Sequence, residues 1–433
     1  MLWRLMMLSW GLATLAAATQ WRWLALASGL VLAAYLCLAL PDISLTGRLL
    51  LALLVGLILL LLSQTGMAAL EAGLRQAIVF AAFMPTARLM RAAARHDPAI
   101  IRIRRNFCRL PPQSRPGWML YASHALSAML SIGAFAVLAP LLPRQASPLR
   151  LRLAQMALLG GGLSVLWSPF FVAQAFVAHG YPALGIWQIV LAGLCIAAFG
   201  LFINTWLAGI HDVAGTLRAV IPALATLLLP IVSAVAVVLL LNRLGGYSNI
   251  EAMVLAIPPL ALLAAWWRRP AHLRALFKQA PRWAAGMGEE IGVVALAILF
   301  SAILQYSTIG GLAGDWVRQI GLAPFTVLLI AFLVMVGLEM LGLHPILCAT
   351  LALQITQTVA GQIPDLLPAM LILVAWSFGS IMSYSGLLPS IAAATFGVAK
   401  HQLIYGRNLI YVAVGVMLTC LLLVALAYAG RVS

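Results

Sequence analysis

The chain has 433 residues, of which 64% are hydrophobic and 8% charged, and its formal net charge is +16. Apolar segments of about 20 residues follow one another, which excludes a soluble protein and indicates helices that cross a membrane. A membrane barrel is excluded because polar and apolar residues do not alternate, and nucleic acid is excluded as a partner because the positive charge lies in loops between apolar spans.

The first four apolar stretches are predicted to be transmembrane helices, at residues 2–18, 21–40, 47–63 and 67–87. The first begins as a signal peptide does, with Arg4 ahead of an apolar run. Since a second span follows at once, we interpret it as a membrane helix. We assign residues 1–66 to an N-terminal group of transmembrane helices.

Two basic stretches orient the chain in the membrane. Residues 88–115 carry eight arginines and one acid, Asp97, and residues 268–282 carry four arginines and one lysine. Positively charged loops remain on the cytoplasmic side. The sequence therefore predicts a multi-pass protein of the cell inner membrane with both stretches in the cytoplasm.

The remaining simple spans are predicted at residues 118–142, 183–206, 217–242, 250–267, 286–308, 322–342, 344–361 and 405–429. The five cysteines are scattered, with no CxxC pair and no metal-like spacing. We therefore predict no metal site, no disulfide framework and no cofactor.

Two longer apolar segments, residues 151–178 and 364–395, are interrupted by glycine, serine and proline. Each is too long for one straight span and too broken for a regular helix. Such a segment is typical of a re-entrant hairpin or of a discontinuous helix, and a matched pair of them points to the binding site of a secondary transporter.

The two interruptions match each other in position. Gly162 and Gly379 are 217 positions apart, and the same offset aligns Ser168 with Ser385. We predict an all-α, polytopic transmembrane bundle of two repeated halves, 67–267 and 268–429, each with a re-entrant or broken helical segment. Six spans lie between the segments, which favours parallel halves, whereas inverted halves need an odd count, so both arrangements stay open.

Helix breaks inside a membrane expose backbone N–H groups and a positive dipole end, which together attract an anion. Serine hydroxyls add donors, and glycines allow close approach of a solute. The candidate substrate-binding residues are Gly162, Ser164, Ser168, Gly379, Ser380, Ser383, Ser385 and Gly386. The alternative is that these small residues pack helices tightly.

Three ionisable residues in or near apolar spans are candidates for coupling transport to an ion. His124 and His344 lie 220 positions apart, each ahead of its interrupted segment, and Glu339 lies deep in an apolar run. Ionisable groups in a membrane are functional candidates by default. Both histidines also fit a hydrogen-bonded structural role, and Glu339 also fits an ion pair or a helix cap.

Two halves with broken segments that bear serine and glycine or proline resemble the ion transporter superfamily, which includes divalent anion/sodium symporters and the membrane subunits of tripartite ATP-independent periplasmic transporters. Residues 376–386 carry most of the resemblance, and residues 163–169 carry it more weakly. The resemblance implies an elevator-like carrier with inverted halves, usually a dimer, for a small anion. The Ser-Asn-Thr triplet of the dicarboxylate symporters is absent from both segments, so neither dicarboxylate nor sodium follows.

We therefore expect a secondary active transporter of a small anionic solute, coupled to Na⁺ or H⁺, and not an enzyme. Its expected partners are membrane lipid and the solute, and the resemblance implies a second copy of the chain in a homodimer. Three alternatives stay open: the membrane subunit of an export or cell-envelope assembly complex, a membrane-embedded transferase, and a channel.

Overall fold

The computed structural model describes residues 2–94, 107, 110–210, 213–268, 273–274, 276, 278–281, 286–307, 315, 319–384 and 386–432. Within these ranges the regular structure is helical, and the one β-type contact is an isolated bridge between Ala360 and Ile363. Seven helices among the described residues are long and apolar enough to cross a membrane. This confirms a helical, multi-pass membrane protein.

In chain order the α-helices are α1 (Leu2–Thr19), α2 (Arg22–Ala39), α3 (Leu45–Ala94), α4 (Arg115–Leu130), α5 (Gly133–Leu138), α6 (Pro148–Ser164), α7 (Val172–Gly180), α8 (Ile186–Leu207), α9 (Val213–Gly245), α10 (Asn249–Arg268), α11 (Gly288–Tyr306), α12 (Pro324–Met340), α13 (Pro345–Gln357), α14 (Leu366–Met382), α15 (Leu387–Phe396), α16 (Lys400–Ile404) and α17 (Arg407–Val432).

The chain divides into two compact units, each made of two separate stretches. The first comprises Met1–Ala94 and Ala236–Gln319, and the second comprises Arg95–Val235 and Ile320–Ser433. The two compact units do not coincide with the predicted ranges 1–66, 67–267 and 268–429. Those ranges were drawn from a repeat in the sequence and not from how the chain folds into compact units. The repeat itself stays a prediction.

In the first unit, α3 packs along α10 and α11, and α1 packs along α2. The predicted spans 47–63 and 67–87 are the two arms of α3, which kinks at Gly66. Gly66 has φ +76° and ψ −179°, a backbone conformation open mainly to glycine. An ion pair between Arg88 and Glu290, with N and O 2.9 Å apart, joins α3 to α11.

In the second unit, the predicted span 118–142 is interrupted and forms two helices, α4 and α5. Ser131 takes φ +49° directly after α4, and this left-handed residue ends the helix. α4 packs closely along α6 because Gly160 has no side chain, and a β-carbon there would overlap the carbonyl group of Leu120. This contact holds α6 at the centre of the unit.

Candidate functional site

Both interrupted segments are helices with a break, and the breaks fall inside the predicted ranges. The first segment consists of α6 with 17 residues and α7 with 9, and the second consists of α14 with 17 residues and α15 with 10. The first break is at residues 165–171 and contains Pro169, which has no N–H group to continue the helix. The second is at residues 383–386, of which Ser385 lies outside the described residues.

The two broken segments contact each other within the second unit. At one end, the Arg150 side chain in the first turn of α6 donates to the carbonyl oxygen of Phe396, the last residue of α15, at 2.8 Å. At the other end, the hydroxyl group of Tyr181, directly after α7, lies 2.7 Å from the hydroxyl group of Thr356 in the last turn of α13. The first segment therefore begins where the second one ends.

Within the described residues, α6 and α7 of the first segment do not pack along each other, whereas α14 and α15 of the second segment are in contact. α6 packs along α15, and α7 packs along α14, where the rings of Phe176 and Trp376 lie 5.9 Å apart. These contacts favour the discontinuous helix, and the choice between it and the re-entrant hairpin stays a prediction. For segments that enter and leave by one face of the membrane, the six intervening spans give parallel halves. For segments that cross, six intervening spans fit opposite directions.

The segments contact each other just before their breaks. The hydroxyl group of Ser377 on α14 donates to the carbonyl oxygen of Gly162 on α6 at 2.9 Å. A β-carbon at Gly162 would overlap the side chain of Ile381. Gly162 therefore allows α6 and α14 to lie close together. This agrees with the alternative that the small residues pack helices tightly.

The serines of the first break are bound to the protein's own backbone. The hydroxyl group of Ser164 donates to the Gly161 carbonyl oxygen at 2.6 Å, and that of Ser168 donates to the Ala128 carbonyl oxygen. Both side chains are fully buried. These two hydroxyls stabilise the break, and their donor hydrogens are already used.

Gln174 is a polar residue at the first break that sequence reasoning missed. Its side-chain amide donates to the carbonyl oxygen of Leu166 at 2.6 Å, and its Oε1 has no hydrogen-bond partner among the described residues. The side chain is fully buried in the first turn of α7. The available signal was the one amide side chain of α7.

At the second break, a tight turn leads from α14 into α15. The amide of Ser383 donates to the Gly379 carbonyl oxygen at 2.7 Å, and the amide of Gly386 donates to the Ser383 carbonyl oxygen at 3.0 Å. Ser383 is buried, whereas Ser380 and Gly386 are half-buried. Among the predicted residues that the structure describes, Ser380 and Gly386 are therefore the most accessible to a solute.

A lysine that sequence reasoning missed lies over the second break. The ammonium group of Lys400 donates to the hydroxyl group of Ser390 at 2.7 Å and lies 4.7 Å from the ring centroid of Tyr384. Burial lowers the pKa of Lys400. A cation above the N-terminal turn of α15 combines two features that attract an anion.

The three ionisable candidates occupy different environments. His124 is buried against α6, with Nδ1 3.2 Å from the Gly160 carbonyl oxygen and Nε2 accepting from the Trp167 indole at 3.0 Å. His344 is half-buried and caps α13, its Nδ1 accepting from the Ile346 amide. Glu339 is fully buried against Gly379 on α14. Glu339 therefore faces α14 in the way that His124 faces α6. His344 does not occupy a position equivalent to that of His124.

Replacement of His124 by glutamine is expected to destabilise the protein and to leave the pH dependence of transport unchanged. Both ring nitrogens are engaged, so the histidine is a neutral Nδ1–H tautomer, and glutamine cannot keep both bonds. The expected loss is about 1–3 kcal/mol, because the buried indole N–H of Trp167 is left unpaired. Thermal unfolding in detergent measures the loss, with Trp167→Phe as the partner in a double-mutant cycle. Disappearance of the pH dependence instead would make His124 a proton carrier.

Comparison with known proteins adds no family. No protein-family model matches the chain, and no curated protein matches it significantly. The resemblance to the ion transporter superfamily therefore rests on the broken segments alone.

Proposed function

We propose that the protein is a secondary transporter that carries a small anionic solute across the cell inner membrane by elevator-like alternating access. The observation that carries this proposal is the pair of broken helical segments within one compact unit, which contact each other beside their breaks and where the first segment begins and the second ends. Inverted pairs of broken helices form the substrate site in many secondary transporters. Inverted repeated halves and a cytoplasmic location of the loops 88–115 and 268–282 belong to the same proposal.

The chemistry at the breaks favours an anion. The N-terminal turns of α7 and α15 each present backbone N–H groups, and Lys400 adds a positive charge at the second. No aspartate or glutamate among the described residues lies within ion-pair distance of Lys400. Among the predicted serines that the structure describes, Ser380 is half-buried and the others are buried. A phosphate, sulfate or carboxylate group fits such donors.

Uptake into liposomes tests the proposal directly. The purified protein is reconstituted in liposomes loaded with one unlabelled anion from a panel of phosphate, sulfate and small carboxylates, and entry of the labelled anion by counterflow is measured. We expect saturable counterflow for at least one anion. Absence of counterflow for the whole panel would favour an assembly subunit or an enzyme, and unsaturable currents would favour a channel.

A glycine at the second break provides the matched variants. A β-carbon at Gly386 would lie 2.9 Å from Ser383 Cβ, so leucine there fills the turn and blocks approach to the backbone. Gly337 on α12 has open space around it, and alanine there is expected to keep counterflow. Counterflow in Gly386→Leu equal to that in Gly337→Ala would place the solute site elsewhere.

A further inference from the structure

Glu339 is a buried acid with no partner for its charge. Its side chain has no solvent exposure, and neither carboxyl oxygen has a hydrogen-bond partner among the described residues. No arginine, lysine or histidine in the described part of the chain lies within 4.0 Å of it. A charged carboxylate in such a place is very costly, and a neutral carboxylic acid is much less so.

The surrounding helices also disfavour a negative charge. Glu339 is in the last turn of α12, and Gly379 is in the last turn of α14, so the carboxyl group lies at the negative ends of two helix dipoles. α14 has no titratable residue, and the titratable residue on α13 is Cys348, whose thiol is close enough to interact with Glu339. On α17, Tyr411 turns its hydroxyl group towards Asn204.

A metal ion is a poor occupant of this place. Metal ions such as calcium or magnesium take several oxygen ligands. Glu339 is faced by the backbone of Gly379, and the described residues contain no group of three or more metal-binding side chains. A proton needs only the carboxyl oxygen itself.

The position of Glu339 links it to the second break. A β-carbon at Gly379 would overlap the carboxyl group, so α14 contacts the acid directly, one turn before the break begins. A movement of α14 that accompanies solute binding therefore changes the surroundings of the carboxyl group. If water reaches the carboxyl group, the free-energy cost of the charged carboxylate falls and the group releases its proton.

We propose that Glu339 is the coupling site of the transporter, and that it carries a proton in the state described by this structure. The proton comes from water on one side of the membrane and is released to water on the other side. This inference rests on the proposed function, since coupling needs a transported solute. It assigns H⁺ rather than Na⁺ as the coupling ion.

Infrared spectroscopy tests the proton without any transport assay. The wild-type protein in membranes at neutral pH is expected to show the C=O stretching band of a carboxylic acid, shifted by ¹³C labelling of glutamate and absent in Glu339→Gln. Glu290→Gln is the matched control, because Glu290 is paired with Arg88 as a carboxylate. A band that persists in Glu339→Gln, or no such band in the wild type, would overturn the inference.

Transport then separates this inference from the proposed function. A gradient of about one pH unit is worth roughly tenfold accumulation for one proton per solute. The wild type is expected to show this accumulation, and Glu339→Gln is expected to keep counterflow but lose accumulation. Wild-type counterflow with accumulation driven by Na⁺ instead of H⁺ would overturn the coupling site alone. Absence of counterflow in the wild type would overturn the proposed function, whatever the infrared result.

Discussion

Replacement of Lys400 by glutamine is expected to weaken binding of the anionic solute by about 10- to 150-fold in Kd. The variant loses a charge-assisted hydrogen bond, which contributes roughly 1.5–3 kcal/mol. It also loses the cation that lies over the ring of Tyr384 at the second break. Concentration dependence of counterflow in liposomes measures the change. Because the side chain is half-buried at the surface of α15, folding is expected to be little affected.

Arg144→Gln is the matched control for Lys400→Gln. It removes one positive charge from an exposed residue of the same unit, away from the second break. An equal loss of affinity in both variants would assign the effect to general attraction of anions, and unchanged affinity in Lys400→Gln would remove Lys400 from the site.

Solute affinity is also expected to fall as the pH rises. Burial lowers the pKa of Lys400, so its ammonium group loses its proton at a lower pH than that of an exposed lysine. The bound anion needs the charged form, and binding therefore favours low pH. Lys400→Arg keeps its charge throughout and is expected to remove this decline. A decline of the same size in Lys400→Arg would assign it to another group.

Replacement of Gly193 by alanine is expected to inactivate the transporter. Gly193 on α8 touches the first break so closely that a β-carbon there would overlap the carbonyl group of Leu166 and lie 3.1 Å from Trp167 Cα. A flexible side chain can relieve such a clash by changing its rotamer, but backbone atoms cannot. Either α8 or the first break therefore has to move, which is expected to lower the free energy of unfolding by about 1–3 kcal/mol. The movement would also disturb the hydrogen bond between Gln174 and the carbonyl oxygen of Leu166.

Counterflow and thermal unfolding measure the effect of Gly193→Ala. Gly337→Ala is again the control, because it adds the same methyl group to a helix with open space around it. Normal counterflow and unfolding temperature in Gly193→Ala would show that the first break tolerates displacement and does not shape the site.

The helix breaks were predictable from sequence because their causes are local. Glycine, serine and proline interrupt an apolar run at fixed positions, and Pro169 ends a helix wherever it lies. Gly66 is similar, since the predicted boundary between two spans is the kink of α3. The division of residues 118–142 was missed because Ser131, a residue without a strong turn signal, takes the left-handed conformation.

The direction of the segments and the identity of the site residues were not predictable, because they depend on contacts distant in sequence. Arg150 is bonded to Phe396 and Ser377 to Gly162, and no local pattern announces either pair. Lys400 follows the second segment in the sequence, but its side chain lies over the break of that segment. The matched histidines lie in different environments because a sequence offset does not report which side chain faces a helix, and Glu339 is the residue buried against α14.

An experimental structure with the transported anion bound tests the central claim most directly. The anion identified by counterflow is added to the protein in lipid, and its density is located. We expect density between residues 165–171 and 383–386, within hydrogen-bond distance of the Lys400 ammonium group. Density for the anion outside both breaks, with Lys400 still bonded only to Ser390, would contradict it.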